Sequence, residues 1–190
     1  MSDSVERILV YWFGDLAADP DAWKSKSSMW WNSGDTDKEV AGSFGDALSE
    51  AENGDLDAWR DGARSCLAFV ILCDQFSRNV YRGTTRAFSN DERALSATYL
   101  AIDRGLDLKL RSVERGFLYM PTMHSEKIEH QDRCIKLFQS ISEQHPAFLA
   151  SAHKHRDVIV EYGRFPHRNS ILSRESTEAE KAYLAKGGGF

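Results

Sequence analysis

The chain has 190 residues, 42% of them apolar and 11% aromatic, which is the size of one domain and rich enough in apolar side chains to exclude general disorder. A formal charge of −5 and a pI near 5.7 argue against a binder of phosphate backbones, so no nucleic-acid partner is expected. The longest unbroken apolar run, Cys66 to Cys73, falls far short of the roughly 20 residues a membrane span needs, so no membrane association is expected either.

Ser2-Asp3-Ser4-Val5-Glu6 lacks the basic opening of a secretory signal. Three cysteines, none in a C-x-x-C pair, suit a reduced, cytoplasmic protein. Val5, Ile8, Leu9, Trp12 and Phe13 form an amphipathic helical stripe, with Asp3 and Glu6 at capping-box spacing and Gly14 as the stop. From Asp15 to Asp35 the period is lost, and Pro20, Trp23, Met29, Trp30 and Trp31 read as a lid over a core. Thr36 and Glu39 have the spacing of a second capping box ahead of Val40, Phe44, Ala47, Leu48 and Ala51, and Asn53-Gly54 ends that helix.

Asp61 is placed to cap the next helix, which carries the run Cys66 to Cys73. That segment is apolar on every side, which predicts a buried central helix. Its two cysteines, and Cys134, read as inert core residues. Ser89 and Glu92 cap a helix with Leu95, Tyr99 and Ile102, closed by Gly105. A shorter helix spans about Val113 to Met120 and should stop at Pro121. Ser125 starts a helix with Ile128, Gln131, Cys134, Ile135, Phe138 and Ile141. Pro146 precedes one with Phe148, Ala152, His155, Ile159 and Tyr162. His155 reads as a hydrogen-bonded core histidine, and His145 and His153 as surface residues. Thr177 and Glu180 cap a last short helix before the tail.

No segment alternates with period two, so the fold class is all-α: an antiparallel bundle of about seven or eight helices, one domain over residues 1–186 with a flexible tail at 187–190. If the main helices alternate up and down, the loops after the odd-numbered ones share a pole. Those loops hold the candidate functional residues.

Asp74-Gln75-Phe76-Ser77-Arg78-Asn79 leaves the buried helix, with Arg82 and Arg86 at four-residue spacing; Gly163 to Asn169 adds Arg164, His167, Arg168 and Asn169, and Arg174 follows. Arginine forks match carboxylate or phosphate oxygens two at a time. The same residues also suit structural ion pairs and helix-end stabilisation. His124 and Glu126 stand at a helix start, where an imidazole and a carboxylate can transfer protons. His124, Glu126 and His130 lack a metal-ligand signature, and neither metal nor cofactor is implied.

Asp74 to Asn79, Met120-Pro121-Thr122-Met123-His124-Ser125-Glu126, Gly163 to Asn169 and Arg174-Glu175-Ser176-Thr177 together resemble the bacterial family catalogued as domain of unknown function 924. The resemblance runs from Trp12-Phe13-Gly14 to Phe190. It implies an all-helical, tetratricopeptide-like fold and no established activity. Three positions depart from the family pattern: Ser77 stands where Pro is usual, Thr122 where Phe is usual and Ser173 where Gly is usual. A Gly at a positive backbone angle would make Ser173 a strained replacement.

Three functional readings follow. The chain could be an enzyme or binder of a small anion, with His124, Glu126 and His167 as proton-transfer groups and Arg78, Asn79, Arg82, Arg164, Arg168, Asn169 and Arg174 as ligand-binding groups. It could be a non-catalytic module for an acidic or carboxylate-ended peptide. Or the polar loops could only lock helix ends. Oligomeric state is not legible.

Overall fold

The computed structural model describes residues 2–30 and 34–190, and their regular structure is all helical. The chain organises into two compact units. One comprises Met1–Arg82 and Arg86–Leu110, the other Gly83–Thr85 and Arg111–Phe190.

The first unit contains α1 (Ser2–Phe13), α2 (Trp23–Lys26), α3 (Asp35–Asn53), α4 (Ala63–Val70), α5 (Ser77–Val80) and α6 (Asp91–Asp103). The apolar run does form the centre: α4 packs on α1 and α6, and every residue from Cys66 to Phe76 is buried. At Ile71 the helix widens into a π turn, Ile71–Phe76, which then passes into α5. A single period of 3.6 could not foretell that widening. It carries Asp74 and Gln75 into the interior on an otherwise apolar segment.

The tryptophan lid rests on α1. The Trp30 indole N–H donates to the Trp12 carbonyl at 2.9 Å, and its ring stacks on Trp12 at 6.3 Å and on Trp23 at 5.9 Å. Trp31 lies outside the described residues.

Capping follows the spacing only in part. α1 begins at Ser2, so Asp3 lies inside its first turn. α3 begins one residue before Thr36, and the reciprocal contact comes from Asp37, whose carboxylate accepts the Gly34 N–H at 3.2 Å. α6 begins at Asp91, and Ser89 instead donates its hydroxyl to the Arg86 carbonyl. Each motif marks the neighbourhood of a helix start, while a different side chain serves it.

The second unit contains α7 (Ser112–His124), α8 (Ile128–Gln139), α9 (Pro146–Tyr162) and α10 (Glu178–Ala185), with α7, α8 and α9 packed on one another. α7 passes through Pro121 for one further turn, against the expectation that it would stop there. Tertiary contacts complete that turn. The Gln131 amide donates to the carbonyls of Met123 and Ser125, both at 2.7 Å, satisfying groups a broken helix end would expose. Ser125 is not the cap of α8, which starts at Ile128 after Lys127; its hydroxyl pairs with His130 Nδ1 at 2.8 Å. His145, expected at the surface, is buried with Nε2 3.0 Å from the Ser112 hydroxyl. The Thr177–Glu180 box forms as the spacing predicts, with hydrogen bonds of 2.7 and 3.2 Å.

Burial holds all three free thiols protonated, raising Cys66 to about 11 and Cys73 and Cys134 to about 12. They are core residues without nucleophilic character.

Candidate functional site

The candidate residues divide between the units. Arg78, Asn79 and Arg82 belong to the first; His124, Glu126, Arg164, His167, Arg168, Asn169 and Arg174 belong to the second.

In the first unit the Arg78 and Arg82 guanidiniums are each matched by acids of the same unit. Arg78 bridges Asp74 and Asp91, both at 3.0 Å, and also donates to the Asp74 carbonyl. The Asp74 side chain is 1% exposed, and its other oxygen accepts the Gln75 amide at 2.6 Å. Arg82 forks onto Asp37 at 2.6 and 2.8 Å, and Asn79 donates to the same carboxylate at 2.7 Å. The Arg82 hydrogen bonds are the main reason the Asp37 carboxyl is held down at about 2, against the opposing effect of burial. Arg86, Asn90 and Tyr81 converge in the same way on Glu52. Asp74 lies one helical turn from Arg78, whereas Asp37 and Glu52 stand 45 and 34 residues from Arg82 and Arg86, which is why the sequence showed most of these arginines without the acids that neutralise them.

In the second unit α9 ends at Gly163, whose φ of 69° is the left-handed geometry glycine adopts freely, with its N–H donating to the Ile159 carbonyl at 2.8 Å. The chain then turns back through Phe165, whose side chain is fully buried. Two acids lock this turn. Glu126 accepts the Phe165 N–H at 2.8 Å and both terminal nitrogens of Arg174 at 2.6 and 3.0 Å. Arg174 also donates to the Phe165 carbonyl at 3.1 Å and to Asn169 Oδ1 at 3.0 Å. The Phe165 backbone is thus clamped at both its N–H and its carbonyl. Asn169 in turn donates to the Ser176 hydroxyl at 3.0 Å.

Arg164 forks onto the buried carboxylate of Glu180 at 2.7 and 2.8 Å and reaches the Glu175 carbonyl. Hydrogen bonds from Arg164 lead the effects that hold Glu180 at about 2. For Glu126, burial pushes the carboxyl up, and the Arg174 bonds, the Phe165 N–H and the Arg174 and Arg168 charges together bring it below its ordinary value. Arg164, Arg174, Asn169 and Glu126 therefore hold the shape of the loop.

A further group gathers around the clamped ring. The Arg168 guanidinium lies 4.6 Å over Phe165, with the residue only 7% exposed. His167 stands 5.7 Å from the same ring, and His155 packs edge-on to it at 5.7 Å. His124 and His155 lie 6.2 Å apart. His155 is 6% exposed, and its Nδ1–H donates to the Ser151 carbonyl at 2.8 Å, which leaves the lone pair on Nε2. The expectation of a hydrogen-bonded core histidine fits this contact, but no pattern along α9 indicates that His155 faces other imidazoles.

These groups repel one another's protons. Burial first, then the charges of His124, Arg168 and His167, lower His155 to about 3 despite its Ser151 bond. Burial, Arg168, His124 and Arg174 lower His167 to about 4, with Glu126 opposing. Both imidazoles are neutral at pH 7. His167 Nδ1 is buried and makes no hydrogen bond among the described residues.

The tail at 187–190, expected as a loose end, is packed here. Gly188 and Gly189 donate to the Tyr183 carbonyl and hydroxyl at 3.0 and 3.1 Å, and the Phe190 ring stacks on His155 with centroids 3.5 Å apart. A tail rich in glycine carries no periodic signal, so the docking could not be read from sequence.

Known proteins give the setting for this geometry. A solved protein of unknown function from Agrobacterium tumefaciens is 35% identical, with 98% of this chain and 99% of that one aligned at a TM-score of 0.85. Its all-helical architecture is shared here. No curated protein matches. The model of a family of bacterial proteins of unknown function, DUF924, matches residues 8–188, and the chain belongs to that family.

Proposed function

We propose that the second unit binds a small anionic molecule at the group formed by His124, His167 and Arg168. Within it, Glu126, Arg164, Asn169 and Arg174 act as positioning residues. The observation that carries this reading is the buried, unbonded Nδ1 of His167 beside the Arg168 charge that helps keep its ring neutral. A buried polar nitrogen without a partner costs on the order of 1–3 kcal/mol, a cost that an anion's protonated or hydroxyl oxygen would remove. An entering negative charge also offsets the neighbouring positive charges that, after burial, hold protons off His155 and His167, so binding favours proton uptake.

Arg78, Asn79 and Arg82 are left out of the proposed site because Asp37, Asp74 and Asp91 already engage them. A neutral His167 is competent to accept a proton, which makes it the first candidate for catalysis at the site. The buried free thiols support a reducing, cytoplasmic setting, and the packing of α7, α8 and α9 on one another supports the tetratricopeptide-like kinship.

The test is titration with inorganic phosphate and with acetate, followed by calorimetry in two buffers of different ionisation enthalpy and by His167 ring resonances. Binding with net proton uptake is expected, weakened at least tenfold in Arg168→Ala and partly restored in Arg168→Lys. Affinity unchanged in Arg168→Ala would sink the anion site. It would leave the readings of a peptide-binding module or of purely structural loops.

A further inference from the structure

The Phe190 ring lies nearly parallel to His155, at an interplanar angle of 10° and a centroid distance of 3.5 Å. Phe165 and His167 meet it edge-on, at 5.9 Å and 89° and at 5.6 Å and 85°. One flat floor and two upright walls make a slot one ring wide. The floor is almost fully buried, yet the residue covering it is 57% exposed. Phe190 therefore covers the buried imidazole as an outer layer and not as a core residue.

The tail that delivers Phe190 is shaped to lie here and is lightly held. A Cβ at Gly188 would stand 2.5 Å from the Tyr183 ring, so a larger residue would have to push that ring aside. Three hydrogen bonds anchor it, from Gly187 to the Leu184 carbonyl and from Gly188 and Gly189 to Tyr183, and none comes from Phe190 itself among the described residues. Three successive glycines also lose the most backbone freedom on ordering, which weakens docking. Beside the slot, the Arg168 guanidinium covers the same Phe165 ring that forms one wall, and His167 contributes its unbonded nitrogen. The slot's walls thus bring a cation, over Phe165, and an unbonded nitrogen, on His167, as the polar groups nearest a ring that replaced Phe190.

We infer that this slot receives the ring of a small aromatic carboxylate, and that Phe190 of the chain's own tail is its resting occupant. The carboxylate half rests on the anion site proposed above; the ring half stands on the stacking geometry alone. The tail then acts as an internal competitor, and an incoming ligand must displace it. Stacking on the neutral His155 floor selects planar rings over saturated ones.

The experiment compares the intact chain with Phe190→Ala, a change at an exposed position, and follows His155 ring resonances during titration with benzoate, benzamide, cyclohexanecarboxylate, acetate and inorganic phosphate. Benzoate should bind Phe190→Ala at least tenfold more tightly than the intact chain, while acetate and phosphate change less than twofold. The His155 resonances, displaced on removal of Phe190, should return towards their original positions as benzoate enters. Equal benzoate affinity for both proteins, or an equal gain for cyclohexanecarboxylate, overturns the inference. If phosphate still binds in that case, the anion site survives without it. A gain for benzamide as large as for benzoate, with phosphate inert, overturns the carboxylate assignment and the anion site together. It would leave only a slot for a neutral ring.

Discussion

Two pairs of arginines are alike in sequence, Arg78 and Arg82 in the first unit and Arg164 and Arg168 in the other. Each pair lies at or just past the end of a helix, with an asparagine close by. Their surroundings differ. In the first unit Asp37, Asp74 and Asp91 face the arginines, and Asn79 adds a further bond to Asp37. In the other unit, Glu126 and Glu180 are committed to Arg174 and Arg164, and Arg168 sits in a group of three imidazoles and two phenyl rings. The lesson concerns surroundings. A guanidinium forked onto a carboxylate fixes the fold, whereas Arg168 lies over the Phe165 ring and helps keep protons off His155 and His167.

The contrast is most easily broken at Asp74. Asp74→Asn removes the charge of the buried Asp74 and leaves the half-buried Arg78 facing one acid instead of two. It should destabilise the protein by about 3 kcal/mol in urea unfolding, since one partner of a buried pair is lost. Phosphate affinity should be unchanged. A large loss of phosphate binding in this variant would place ligand recognition among the paired arginines and reverse the contrast.

Arg168→Ala is the counterpart in the second unit. Removing a cation that presses protons off His155 and His167 should raise the pKa of both rings, visible in imidazole titrations. Stability should fall by only about 1 kcal/mol, the scale of a lost cation–π contact, because unfavourable charge is removed with it. Rings that titrate as before would show that Arg168 does not set the electrostatics of the group.

Acid separates the two kinds of site by pH window. The histidines have folded values of about 3 and 4 against an ordinary 6.5, so between pH 6.5 and about 4 the unfolded chain binds protons that the folded rings refuse. Stability therefore falls as pH drops through that window. Asp37 and Glu180, both near 2 when folded, favour the charged form, so their contribution is intact above pH 4.5 and declines only below it. In His155→Asn/His167→Asn the stability curve should flatten between pH 6.5 and 4 while the steeper loss below 4.5 persists. An unaltered upper limb would mean that the rings are not held neutral in the fold.

The helices were legible because periodicity depends on each helix's own residues: the α1 stripe, the buried run at 66–73 and the Thr177 box all appear where the pattern put them. What failed depended on distant partners. Pro121 should end a helix locally, but Gln131 satisfies the carbonyls beyond it. The pairing of Arg82 with Asp37 spans 45 residues, and that of Arg174 with Glu126 spans 48. The sequence could name the chemistry-bearing loops, yet only the fold shows which arginines fork onto distant acids and that Arg168 lies over Phe165 beside His155 and His167. His155 and Phe190 were missed as site residues for the same reason, since neither the α9 stripe nor the glycine tail says what it packs against.

The smallest expected effect tests the loop itself. Ser173 has φ 54°, the one positive value at a non-glycine residue among those described, and it immediately precedes Arg174. The turn is held by the Arg174 N–H on the Asn169 carbonyl at 2.8 Å, so the chain cannot relax without releasing the clamp on Phe165. A serine there sits in a region disfavoured by contact between Cβ and the following carbonyl, at a cost of about 1 kcal/mol that glycine avoids. Ser173→Gly should therefore gain close to that amount, less the freedom glycine adds to the unfolded chain, and raise the melting temperature by about 2–4 °C. Because Arg174 positions the loop and does not meet the proposed ligand, phosphate affinity should stay within twofold. A stabilised variant with much weaker binding would show that the strain at Ser173 belongs to the site and not merely to the turn.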